Sequence, residues 1–167
     1  MRISKRARPA ARRSVLGATA MALAVAFVGQ WEGLRLSAYR DIVGVPTVCY
    51  GETKGVQMGD SYTKAECDDM FVEELESYAA QLAKVIPALP EMPPEMQVAF
   101  TSWAYNVGLG AAAKSTLARK ANAGDWVGAC EQLPRWNRAG GRAVRGLTLR
   151  RSAEREMCLE GARGMRV

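Results

Sequence analysis

Glu32 closes an uncharged stretch that begins at Ser14. Asp41 follows nine positions later and Thr47 six positions after that. The segment from Trp31 to Thr53, WEGLRLSAYRDIVGVPTVCYGET, carries Tyr39, Val43, Val45 and Val48, punctuated by Gly44, Pro46 and Gly51. Aromatic and β-branched residues set between glycines and a proline read as a small twisted sheet entered from a helix end. A carboxyl in apolar surroundings favours its protonated form, whereas one on a solvated turn ionises. Two carboxyls in such unlike settings, facing each other across a cleft, suit acid-assisted hydrolysis of a glycosidic bond. One protonates the leaving oxygen and the other works on the opposite face of the sugar. Thr47 would add a hydroxyl that orients water. Exposed acids are the norm, so this spacing acquires meaning only from its neighbours.

The elements that must hold these residues can be traced along the chain. Short strands are expected at 37–41, 46–50 and 56–58. Thr63 and Glu66 make a capping box for a helix whose apolar stripe is Phe71, Leu75, Tyr78, Leu82 and Val85. Asp68, Asp69, Glu73 and Glu76 fall off that stripe and read as a solvated face. After the proline-rich break at 87–94, Pro94 can open a helix with Met96, Phe100, Trp103 and Val107 on one side and Gly108 as its stop. Further helices are expected at 115–123, at 126–133 behind Asp125, and at 148–160.

Composition narrows the chemistry. A chain of 167 residues fits one domain with a real core. The absence of histidine excludes His-based acid–base chemistry and His metal sites. The four cysteines (Cys49, Cys67, Cys130, Cys158) form no CxxC pair, which speaks against structural zinc; an even count suggests disulfides, with three pairings open. Charge is unevenly spread: residues 1–13 carry six basic and no acidic residues, residues 14–113 a net −7, and residues 114–167 a net +7. The basic C-terminal part could meet an anionic polymer such as the cell wall. The chain shows no nucleic-acid-binding motif.

Several ordered blocks resemble phage-type lysozymes, glycoside hydrolase family 24. They are EGLRL at 32–36, AYRD at 38–41, PTVCYG at 46–51, SWAYNVG at 102–108, STLARKANAG at 115–124, and AGG followed by GLTLRRSAE within 139–154. The resemblance covers about residues 27–160, and Glu52 stands where many relatives carry a histidine. It implies an α+β, mostly helical, two-lobed lysozyme-like fold, with a small antiparallel sheet in one lobe and a long helix joining it to the helical lobe. It implies a catalytic set of Glu32, Asp41 and Thr47, acting by inversion on the β-1,4 bond between N-acetylmuramic acid and N-acetylglucosamine of peptidoglycan. Gly51, Asn106, Trp136, Arg142 and Arg145 would bind substrate, and either of those two arginines could instead hold Glu32. It also favours the disulfides Cys49 with Cys67 and Cys130 with Cys158. No cofactor or metal is implied, and the enzyme would be a monomeric endolysin that lyses the host cell. Alternatives are a lytic transglycosylase, which needs a single acid, or a non-catalytic wall-binding, membrane-anchored protein.

The N-terminus suggests a domain order: a basic cytoplasmic tail at 1–13, a weak signal anchor at 14–30, the lysozyme domain at 27–160 and a C-terminal tail at 161–167. Positive flanks stay in the cytoplasm, and eighteen uncharged residues barely reach spanning length. Many are small: Ala18, Ala20, Ala22, Ala24, Ala26, Gly17 and Gly29. Three readings compete. One is a signal peptide cleaved after Ala24-Val25-Ala26, which would behead the helix ahead of Glu32. Another is a permanent anchor. The third resembles signal-anchor-release endolysins, in which the segment starts in the host inner membrane facing the periplasm, then leaves and packs into the enzyme. Leu23, Phe27 and Trp31, four apart, could then form the buried stripe.

Overall fold

The computed structural model describes residues 14–165; the basic tail at 1–13 and the last two residues lie outside them. Helix α1 (Ala18–Glu32) leads into strands β1 (Arg35–Arg40) and β2 (Pro46–Cys49). The long helix α2 (Lys64–Val85) follows, then a 3-10 turn at Leu89–Glu91, α3 (Pro94–Val107), α4 (Leu109–Ala113), α5 (Thr116–Asn122) and α6 (Trp126–Cys130). A 3-10 turn at Leu133–Trp136 and a two-residue hairpin, β3 (Arg138–Ala139) with β4 (Arg142–Ala143), precede the last helix, α7 (Arg145–Gly164).

β1 and β2 pair antiparallel, with Tyr39 opposite Thr47 and an irregularity between Arg35 and Tyr39. The expected third strand at 56–58 does not form. Ser37 and Val48 make only isolated bridges, to Ser61 and Glu52. Gly55 and Gly59, both at positive φ, flank that stretch and break the extended run. α2 starts as expected: the Thr63 side chain accepts from Glu66 N, and Glu66 accepts from Thr63 N at 2.8 Å.

Two hydrophobic clusters make the core, and α2 serves both. Its first half packs Cys67, Phe71, Leu75 and Ala79 with α1 and β2, and Leu82 packs with α3, α5 and α7. Tyr78 and Val85, expected on the stripe, are only half-buried. The buried face of α1 also differs from expectation. Ala20, Ala24 and Val28 continue a four-residue ladder from Leu16, with Phe27 beside it, whereas Leu23 and Trp31 are half-buried. Ala20 and Ala24 permit close approach to α3 and α2 and share the inner face with Phe27 and Val28. α7 begins three residues before its expected start and runs past Glu160 to Gly164. It packs so closely on α3 that a Cβ at Gly161 would stand 2.7 Å from Met96 Cγ. Both disulfides join the favoured pairs, Cys49–Cys67 tying β2 to α2 and Cys130–Cys158 tying α6 to α7.

Candidate active site

Glu32 is the last residue of α1, and Gly33 at φ +73° turns the chain away from the helix into the sheet. Its carboxylate meets α7. Arg150 Nη1 donates to Glu32 Oε1 at 2.8 Å, with 5% of the arginine side chain and 22% of the glutamate side chain exposed. The partner of Glu32 is thus Arg150. Arg142, on the small hairpin, and Arg145, at the start of α7, are both exposed. The phase of α7 explains the difference: Arg150, in its second turn, lies on the buried face, whereas Arg145 in the first turn points to solvent.

Arg150 is itself held from behind. Its Nη2 donates to Ser102 O at 3.2 Å and its Nε to Glu154 Oε1 at 3.2 Å. Ser102 Oγ donates to the same Glu154 oxygen at 2.6 Å. Arg151 grips the same carboxylate, with Nη2 2.9 Å from Oε1 and Nε 2.9 Å from Oε2. It also donates to Asn106 Oδ1 at 3.2 Å. Arg151 and Glu154 are fully buried. Burial pushes the Glu154 carboxyl above its ordinary range, against the pull of Arg151, Ser102 and Arg150. Burial likewise draws the Arg151 guanidinium down to about 10, which leaves it charged at neutral pH.

Across the sheet, Asp41 sits in the β1–β2 turn. Its Oδ1 accepts from Val43 N at 2.9 Å and from Val45 N at 2.8 Å, so the backbone fixes the carboxylate plane. Thr47, on β2, is 4% exposed, and its hydroxyl donates to Val45 O at 2.9 Å. Asp41 and Thr47 therefore both engage Val45. Gly51, at φ +107°, closes the turn after β2, where only glycine is comfortable. Asn106 projects from the end of α3 and bonds Arg151. Trp136 stands edge-on to Trp103, their ring centroids 5.4 Å apart, and lines an open depression of about 300 Å³ with Thr116, Leu117, Gln132 and Arg135.

A second acid lies near Glu32 on another helix. Glu74 of α2 is half-buried and accepts from the Tyr105 hydroxyl at 3.1 Å. Burial raises its carboxyl above the usual range; the Tyr105 bond opposes this, and the charges of Glu52 and Glu32 add to it. Burial also raises the Tyr105 phenol, assisted by Glu74 and Glu32. Glu52 lines the same crevice as Glu74, beside the Cys49–Cys67 disulfide.

The site thus offers one carboxylate at the end of α1, held by a guanidinium, and another in the β1–β2 turn, held by backbone amides. The phage lysozyme family profile matches residues 29–154. The chain is 43% identical over 163 residues to a SAR-endolysin of Bacteriophage PS119, covering 92% of this chain and 96% of that one. It is 47% identical over 131 residues to the SAR-endolysin of Enterobacteria phage P21, covering 78% of each. The crystal structure of the active form of P1 phage endolysin Lyz superposes with a TM-score of 0.75 at 25% identity, covering 90% of this chain and 88% of that one. The chain belongs to the phage lysozyme family. It is a muramidase that hydrolyses bacterial peptidoglycan.

Arg150, Arg151, Glu154 and Ser102 were not singled out from the sequence. The signal was present as helical spacing, since Glu154 lies four residues after Arg150 and three after Arg151.

Glu154→Ala leaves two buried guanidiniums without their shared carboxylate, and should cost about 3–5 kcal/mol in denaturant unfolding. Glu74 behaves differently. Its native pKa lies above the unfolded value, so its ionisation is penalised in the fold. That penalty is absent below the unfolded carboxylate range and complete above the raised native value. Glu74→Gln should therefore raise the melting temperature near neutral pH, with the difference closing at about pH 4. Melting curves across pH read this directly.

Proposed function

We propose that Glu32 is the general acid and that Asp41 and Thr47 hold the attacking water. Arg150 occupies Glu32 Oε1, which leaves Oε2 to carry the proton delivered to the glycosidic oxygen. Asp41 Oδ1 is taken by two backbone N–H groups, so Oδ2 faces the water and accepts its proton as the water attacks. The Thr47 hydrogen is committed to Val45 O, so its oxygen presents lone pairs and orients the water by accepting from it. Attack from the face opposite the leaving group inverts the anomeric centre. The observation that carries this reading is the pinning of both carboxylates, one by a guanidinium and one by backbone amides, from opposite elements. Gly51, Asn106, Trp136, Arg142 and Arg145 form the surrounding substrate surface in this reading.

Glu32→Gln keeps the shape and removes the proton. Purified peptidoglycan digested by the native protein should give fragments ending in hydrated, reducing muramic acid, and the variant should lose activity by at least 10²-fold. Anhydro ends, as a transglycosylase leaves, or wild-type rates from the variant would contradict the assignment.

The protein acts as an endolysin whose N-terminal segment begins in the host inner membrane and is released to the periplasm as a monomer. The support is the two-faced character of α1. Its inner face carries Leu16, Ala20, Ala24 and Val28, whereas Gly17, Ala18, Ala22 and Ala26 are exposed. Small residues on the outer face lower the cost of leaving lipid, and small residues on the inner face allow close packing after release. α1 spans 15 residues, and no helix of the described residues is long and apolar enough to cross a membrane. A cleaved leader would remove this packed helix. The triple variant Gly17→Leu, Ala22→Leu, Ala26→Leu adds apolar surface only on the outer face. It should stay in the membrane fraction and lyse cells poorly; soluble, active triple variant would contradict release.

A further inference from the structure

The start of α1 is gripped by a carboxylate from another helix. Glu76, on α2, accepts from Ser14 Oγ at 2.7 Å, from Leu16 N at 3.3 Å, and from Val15 N. The expectation of a wholly solvated acidic face on α2 fails here, and also at Asp68, which accepts from Tyr50 at 2.7 Å. Gly17 at the N-cap of α1 supplies no side-chain acceptor, so the entry to the helix has no cap of its own. Glu76 does not replace that cap; it binds the three residues just ahead of it, Ser14 to Leu16, and so fixes the chain where it enters the helix. Leu16, 2% exposed, fills the core directly beside it, and half-buried Val15 packs against both hydrophobic clusters.

We propose that Glu76 is a latch that fixes α1 from its N-terminal end and thereby acts as a positioning residue for Glu32 at the other end. This rests on the reading of Glu32 as the proton donor. The helix between the two points is about 22 Å long, and its N-terminal half packs through the small side chains Ala20 and Ala24, with Phe27 and Val28 only in its last turns. Alanine contacts are small and similar at successive turns, so they resist sliding or rotation of the helix weakly. A helix seated on such a face needs its ends defined. Arg150 defines one end through Glu32, and Glu76 defines the other through Ser14, Val15 and Leu16. Both anchors are charged hydrogen bonds, which are directional where the alanine packing is not. Loss of the latch lets α1 fray from its start, and the fraction of molecules with Glu32 seated against Arg150 falls.

The test uses the full chain and compares Glu76→Ala, Glu76→Gln and Ser14→Ala with wild type. Amide hydrogen exchange reports the seating of α1, and kcat and KM on soluble peptidoglycan fragments report the placement of Glu32. In Glu76→Ala, exchange at residues 15–24 should accelerate at least tenfold while α3 amides at 98–104 keep their protection. Its kcat should fall several-fold with KM unchanged. Glu76→Gln, which keeps an acceptor oxygen, should recover most of both, and Ser14→Ala, which spares the two amide bonds, should stay near wild type. Unchanged exchange at 15–24, protection lost equally across the chain, or a frayed helix with wild-type kcat would each overturn the latch. If the wild-type chain releases no fragments, the reading of Glu32 fails, and the exchange comparison alone still decides whether Glu76 holds the segment.

Discussion

One guanidinium ties three helices together at the carboxylate of Glu32. Arg150 reaches Glu32 at the end of α1, the Ser102 carbonyl in α3 and Glu154 one turn along α7. A buried cation is stable only where anions and carbonyls surround it, and a buried carboxylate only where cations do. The network meets both demands by sharing Glu154 between Arg150, Arg151 and Ser102. The consequence is positional. Glu32 cannot be moved without unpairing a group that α3 and α7 already fix, so the helical lobe dictates where the acid stands. The other carboxylate is placed by different means, through the backbone of its own turn. The site therefore joins a rigid, charge-locked side to a local, turn-locked side.

The same constraint explains why α1 belongs to the enzyme and is more than an appendage. It delivers Glu32, and its inner face closes the cluster formed with β2 and the first half of α2. That face includes Ala20 and Ala24, which serve weakly in lipid and well against another helix. The Cys49–Cys67 bridge, itself part of this cluster, ties the sheet to α2, so the hairpin that bears Asp41 and Thr47 is secured to the helix that grips the start of α1. The two halves of the site thus share α2 as their common support.

Much of this was legible from residue order. The helix end at Glu32, the hairpin that carries Asp41 and Thr47, the Thr63–Glu66 capping box, the break at 87–94 and the helix that opens at Pro94 are local signals, and local chemistry fixes them. Both disulfide pairs followed from the family layout. What escaped was set by tertiary packing. Of the expected α1 stripe, Phe27 is buried, whereas Leu23 and Trp31 give way to Ala20, Ala24 and Val28, which fit the close approach to α3 and α2. The third strand failed because glycines on either side of 56–58 turn the chain before a ladder can form. Arg142 and Arg145 were named through the family resemblance, yet the phase of α7 turns Arg150 inward. Glu76 looked like any exposed acid until the chain ahead of α1 came back to meet it.

The most direct measurement is turnover of an Arg150→Lys variant beside its unfolding curve. Lysine keeps the positive charge but offers one compact ammonium in place of a planar fork. It cannot reach Glu32, Glu154 and the Ser102 carbonyl together. The variant should fold, and its peptidoglycan turnover should fall at least tenfold, because Glu32 is no longer held. A folded Arg150→Lys protein with wild-type turnover would contradict it, and would show that the position of the acid is set elsewhere.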